Sequence, residues 1–245
     1  MNDRFHKRGA VAGRRIASAT LAVAATTATL LVSGGLVRPA AAEQAALPKV
    51  TIEVPRDVLI FPATVDSGGG DAATANSPVA RALPMVTEAF RNYLSRNGIG
   101  VVVYSKRLPS IERAVAEGQV KAEEAAAGPG DDPRNALRFA QTVGAQEYLT
   151  VEVQNYKYDA NTRTATFNVS VYRNSSEDNG APLSTVAKPA VGTAPAEMMP
   201  NRQEASAVSH AADQVAEECF QDLYPKIAQL REAERMKAVK DTKKK

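Results

Sequence analysis

The chain has 245 residues, 44% of them hydrophobic and 23% charged, with 30 basic and 27 acidic side chains and a formal charge of +3. The basic excess sits in the leader: residues 1–42 hold six basic and one acidic residue, leaving 24 against 26 beyond them, so nothing in the overall charge points to nucleic acid. The single cysteine, Cys219, excludes an intramolecular disulfide, and no cysteine follows the N-terminal apolar run to carry a lipid anchor.

Arg4, Lys7, Arg8, Arg14 and Arg15 precede an uncharged, mostly apolar run over 17–37, and Ala40, Ala41 and Ala42 follow it. This is the layout of a secretory signal peptide over 1–42, with cleavage expected after Ala42. The alternative is a retained transmembrane anchor, and Arg14-Arg15 leaves the twin-arginine route open beside the general one. Residues 43–49 read as a flexible lead, 50–224 as a single α/β domain, and 225–245 as a charged, frayed helical tail.

Within the domain, residues 50–61 carry strand spacing in Ile52, Val54, Val58, Ile60 and Phe61, with Pro55 demanding an edge position or a break. Residues 63–78 have loop composition. Gly68, Gly69 and Gly70 lack the following Gly-Lys-Ser/Thr of a phosphate loop. The spacing of Leu83, Val86, Phe90, Tyr93 and Leu94 predicts a helix over 84–97, stopped at Gly98. The apolar run 99–104 predicts a strand covered on both faces. A helix over 108–120 opens at Pro109 and is weakened by Gly118, with 119–127 able to continue it. Asp132 and Pro133 then cap and start a helix that ends at Gly144.

The strongest periodicity follows. Leu149, Val151 and Val153 alternate with Thr150, Glu152 and Gln154, and Ala165, Phe167, Val169 and Val171 alternate with Thr164, Thr166, Asn168, Ser170 and Tyr172. Two such segments joined by a short polar turn predict an antiparallel hairpin with one face in the core. Residues 183–191 predict a proline-punctuated edge strand, Met198 and Met199 a cover over the core, and 204–223 a long helix, with Pro225 kinking it or starting another. The expected fold class is α+β: a mixed sheet of about five strands with an antiparallel hairpin, covered by amphipathic helices.

No pattern carries chemistry. His210 has no second histidine beyond the leader and no paired cysteine, so no metal site or cofactor is expected. Gly-x-Ser-x-Gly and His-Glu-x-x-His are absent, and Cys219 lies in the apolar stripe of the last helix. An enzyme, for example a hydrolase of unrecognised type, is expected only if Asp159, Asp178 and His210 converge. Tyr156, Tyr158, Tyr172, Arg163 and Arg173 group on the hairpin as a candidate interaction surface, against ordinary cross-strand pairing as the alternative. Residues 231–245 carry seven basic and three acidic residues, which suits either a solvated end or weak contact with an anionic surface.

The element order, with the passage Phe139-Ala140-Gln141-Thr142-Val143-Gly144-Ala145-Gln146-Glu147-Tyr148-Leu149 leading from helix through Gly-Ala into strand, resembles an envelope domain group. This is the group shared by the curli secretion protein CsgG, the N-terminal domain of TolB and LpoB-type activators of peptidoglycan synthases. The chain departs from it in reading Asn174-Ser175-Ser176-Glu177-Asp178-Asn179-Gly180 after the second hairpin strand, and in having no lipobox cysteine. The resemblance implies an exported, non-catalytic protein-interaction domain of a bacterial periplasm or extracellular space. It implies a partner that is another envelope protein, or, as the alternative, a homo-oligomeric assembly subunit. No nucleic acid and no membrane segment after signal cleavage are expected.

Overall fold

Ser77 opens the first helix, α1 (Pro78–Arg96): its hydroxyl accepts from the Ala80 amide at 3.3 Å, and Pro78 sits where its missing N–H has no partner to lose. The structure, a computed structural model, describes residue 55 and residues 57–65, 77–130 and 132–242. These belong to one compact unit, Val50–Lys245. The expected signal peptide, the lead expected at 43–49, the first part of the strand expected over 50–61 and most of the loop expected at 63–78 lie outside the described residues. The helix begins six residues before the expected start because Ser77 caps it there, and Pro84 is carried inside it.

Among the described residues six strands form one sheet. β1 (Val58–Ile60), β3 (Val101–Val103) and β4 (Glu147–Asp159) run parallel, and β5 (Thr164–Ser175) and β6 (Pro182–Thr193) continue antiparallel from β4, in the order β3-β1-β4-β5-β6. β2 (Thr64–Val65) lies beside β4 past the end of β1, so part of the expected loop is strand. Between β1 and β2 the chain bends, and Thr87 of α1 holds the bend: its hydroxyl accepts from the Ala63 amide at 2.9 Å and donates to Leu83 O at 3.0 Å. Among the described strands β3 pairs only with β1; its three valines are half-buried, Val101 against one core and Val102 against the other, so both faces are covered in part.

The remaining helices are α2 (Pro109–Ala116), α3 (Ala122–Ala127), α4 (Pro133–Val143), α5 (Pro200–Leu223) and α6 (Pro225–Thr242). Gly118, at φ 72°, ends the expected 108–120 helix early and separates α3 from it. α4 matches its predicted caps: Asp132 accepts from the Arg134 amide at 2.9 Å and Gly144 is left-handed. Met199 does not cover the core, being 66% exposed.

Alternation along each strand makes two cores. On one face Val58, Ile60, Leu149, Val151, Val153, Phe167, Val169 and Val171 meet Val86, Phe90 and Leu94 of α1 and the Ala-rich stripe of α5. On the other, Leu59, Phe61, Tyr104 and Tyr148 meet Ile111, Ala125, Phe139 and Ala140 of α2–α4. Each large side chain removed from water this way contributes about 1.5–3 kcal/mol. α5 comes so close to β6 that a Cβ on Gly192 would lie 2.1 Å from Ala207 O, so only glycine fits. Among the described residues no helix is long and apolar enough to cross a membrane.

Candidate functional site

The second core ends at the carboxyl ends of β1 and β3, where open α/β sheets leave a crevice. Tyr104 donates its amide to Ile60 O at 2.8 Å and Phe61 donates to Leu149 O at 3.0 Å, fixing both aromatic residues at the strand ends. Their rings meet at 5.3 Å, and Phe61 meets Tyr148 edge-on at 6.1 Å. The Tyr104 hydroxyl donates to Ala125 O at 2.9 Å, which holds α3 upright as a wall. A second tie to that wall is the ion pair of Glu124 with Arg138 of α4 at 2.7 Å, and the Arg138 hydrogen bond keeps Glu124 below the usual carboxylate range.

Between this wall and β4–β5 is a cleft of about 620 Å³, within the range of ligand sites. Phe61, Tyr104, Tyr148, Tyr172, Pro129 and Ala126 supply apolar lining, with Thr64, Ser105, Thr150 and Asn174 as neutral polar groups. Burial raises the phenols of Tyr104 and Tyr148, so both stay neutral. Among the described residues the charged lining is Lys106, Asp132 and Glu152. Asp132 already satisfies the N-terminus of α4, and a Glu152 oxygen accepts from the Tyr172 hydroxyl at 3.2 Å.

The cleft opens onto the sheet face that the described helices leave exposed or half-exposed: Thr150, Glu152 and Gln154 on β4, Thr166, Asn168 and Ser170 on β5, and Thr185, Ala187 and Val191 on β6. Of the five residues predicted as an interaction surface, only Tyr172 lies on this side. A bulge at Asn155, φ 54°, shifts the β4 register and turns Tyr156 and Tyr158 to the helix side. There Tyr156 stacks on Phe167 at 6.2 Å and donates to Glu204 of α5 at 2.8 Å; burial first, then Glu204, raises its phenol.

Arg173 is also on the helix side. It grips Glu147 through two hydrogen bonds of 2.7 and 2.5 Å, donates to Leu223 O at the end of α5 at 2.7 Å, and lies 4.1 Å over the Tyr224 ring. Arg163, at φ 55°, forms part of the hairpin turn and its Nε is buried. The five therefore do not form one patch. Sequence reasoning missed Phe61 and Tyr104 because their strands end in short apolar runs that look like core. The signal that could have found them was position: both are aromatics at the carboxyl ends of parallel strands.

Asp159 and Asp178 do not converge either. Asp159 ends β4, whereas Asp178 follows Ser175, the partner of Glu147 at the start of β4, so twelve residue steps separate them, about 40 Å. His210 of α5 lies at the Asp159 end, its Nδ1 3.0 Å from Thr193 O. Among the described residues no group of three His, Cys, Asp or Glu side chains could hold a metal ion.

No protein-family model matches the chain. No curated protein matches it either. Similar solved structures include a hypothetical protein of Chlamydia trachomatis, 9% identical with a TM-score of 0.42 over 71% of this chain and 99% of that one. A lipoprotein of Neisseria meningitidis is 16% identical, with a TM-score of 0.36 over 66% and 99%. The LpoB C-terminal domain of Salmonella enterica is 15% identical, with a TM-score of 0.35 over 56% and 84%. Of the groups the sequence resembles, the LpoB type is thus represented among these structures.

Proposed function

We propose that the chain is an exported, non-catalytic interaction domain of the bacterial cell envelope that meets its partner on the side formed by the cleft and the open faces of β4, β5 and β6. The observation that carries this is the asymmetry of the long strands. One face holds valines and Phe167 at a few per cent exposure, and the other presents mostly neutral polar side chains, with Glu152 and Lys157 among them, running into an aromatic-lined cleft. An exposed surface that joins aromatic rings to largely uncharged hydrogen-bonding groups suits protein recognition. Export rests on the leader, and the wider kinship with CsgG and TolB rests on element order. The non-catalytic reading is supported by the cause of the perturbations: Tyr156, Cys219 and Tyr224 on the helix side, and Tyr104 and Tyr148 at the cleft, are all raised first of all by burial.

The test is a photo-crosslinking residue placed in turn at Asn168, Thr185 and Asp213 in the full chain expressed in a bacterium. Adducts with one envelope protein are expected from Asn168 and Thr185, on the open face, and none from Asp213, on the outer side of α5. Equal labelling from all three sites, or a chain retained in the cytoplasm with its leader intact, overturns the reading.

A second reading has its own observation. β6 pairs only with β5 among the described strands, and Leu183 and Val191 on it are 45% and 51% exposed. A twelve-residue edge of that kind can template a second copy, making the protein a homo-oligomeric assembly subunit. Native mass spectrometry of the chain from Glu43 separates the two: a single oligomer that Val191→Lys dissociates favours assembly, and a monomer favours the first reading.

A further inference from the structure

We infer that the cleft receives an extended, apolar partner segment that carries aromatic side chains and a flanking lysine or arginine, and that it rejects acidic segments. This rests on the proposed reading of the open side as the contact side, and goes beyond it by naming what the cleft takes. Of the three tyrosines that line the cleft, Tyr104 and Tyr172 direct their hydroxyls to Ala125 O and Glu152, so the cleft offers an occupant mainly ring faces and the methyl groups of α3, with Tyr148 as the remaining phenol. A cleft of about 620 Å³ is far larger than one side chain and matches a short stretch of chain.

Charge decides the rest. The N-terminus of α4 reaches the cleft, and an uncapped helix start would attract phosphate or carboxylate. Asp132 occupies that position with its own carboxylate, taking the Arg134 amide at 2.9 Å. The described lining thus carries two carboxylates, Asp132 and Glu152, against one ammonium, Lys106. Residues 43–230 as a whole hold 17 basic and 23 acidic side chains, so the surrounding field has the same sign. A cationic flank gains in approach and in register, whereas an acidic one meets like charge at the rim.

The chain contains no tryptophan, so a probe peptide with one tryptophan reports binding through its own emission. Three synthetic peptides share a Leu-Trp-Val-Phe centre and differ only in flanks of Lys, Ser or Glu. Titrated with the chain from Glu43 at low salt, the Lys-flanked peptide should bind at least about tenfold tighter than the Glu-flanked one, with the gap closing as salt is raised. Asp132→Asn keeps the helix cap and removes its charge, so it should narrow that gap while leaving thermal stability in place. Ala126→Phe and Thr150→Phe, on the lining at an exposed and a half-buried position, should each abolish binding of all three peptides.

Equal or reversed preference between Lys and Glu flanks overturns the charge assignment. Binding that survives both Phe variants, checked to be folded by their melting curves, overturns the cleft as the site. If no peptide binds while crosslinks still form from Asn168, this inference fails and the interaction reading stands. If crosslinks are absent from the open face and the peptides still bind, the reverse holds.

Discussion

The long strands β4, β5 and β6 have two faces built from one backbone, and beyond the Tyr148 end of β4 the described helices pack on one of them. On the helix side Val153, Val169 and Val171 have no exposed surface, Gly192 lets α5 rest against β6, and Arg173 ties β5 to Glu147 and to the end of α5. On the open side Asn168, Thr185 and Val191 are exposed and neutral. Stability and recognition are therefore separable here: changes on the helix side should unfold the domain, and changes on the open side should alter only what it meets.

The largest effect expected is from Gly192→Ala. Its methyl would fall 2.1 Å from Ala207 O and 2.4 Å from the Ala211 amide, both backbone atoms of α5, so the helix must move off the sheet. A loss of about 3 kcal/mol in urea unfolding is expected. A loss below 1 kcal/mol would show that α5 is not seated on β6. Next comes Arg173→Leu, which leaves the Glu147 carboxylate, 13% exposed, without its cation. About 2 kcal/mol should be lost, less than for a fully buried pair because both side chains keep some water, and Glu147→Gln in the same chain should restore part of it. If the double variant is as weak as the sum of the two singles, the pair is not acting as a unit.

Much of the helix side could be read from the sequence and much of the open side could not, for a physical reason. Alternation at Ala165, Phe167, Val169 and Val171 and the capping pair Asp132 and Gly144 are local signals, and the structure has the hairpin and α4 where they predict. The bulge at Asn155 is set by a single left-handed residue, yet it reverses every side chain after it, sending Tyr156 and Tyr158 inward. Arg173 reads as an exposed partner to tyrosines because nothing local reveals that Glu147, twenty-six residues earlier, and the Leu223 carbonyl converge on it. The cleft was least legible of all. It exists because Phe61, Tyr104 and Tyr148 come from three strands placed side by side by topology.

Alkaline pH gives a smaller effect that can be read at Cys219 on the helix side. Burial pushes the Cys219 thiol up to about 12 from an ordinary value of 9.0, with Asp222 and Glu218 adding to the rise and Lys188 opposing it. The folded state thus favours the neutral thiol; that contribution is complete below about pH 9 and is lost as pH rises towards 12. Cys219→Ala should flatten the fall in urea stability between pH 9 and 10.5, and the native thiol should react with a disulfide reagent only as fast as the domain opens. Rapid stoichiometric labelling at pH 8 without unfolding would place the thiol outside the core.

The smallest effect on stability should come from Asn168→Lys, and it sharpens the contrast most. Asn168 is exposed in the middle of β5 between Gln154 and Pro189, its side chain away from both cores. A lysine there has room to extend into solvent, so urea unfolding should change by about 0.5 kcal/mol or less. Its charge would sit in the centre of the proposed contact face, where a partner must desolvate it, so crosslinking from Thr185 should fall even though the fold is intact. A variant that unfolds shows that this face is also holding the domain together. One that keeps both its stability and its Thr185 adduct moves the contact away from the centre of the sheet, towards the cleft at its end.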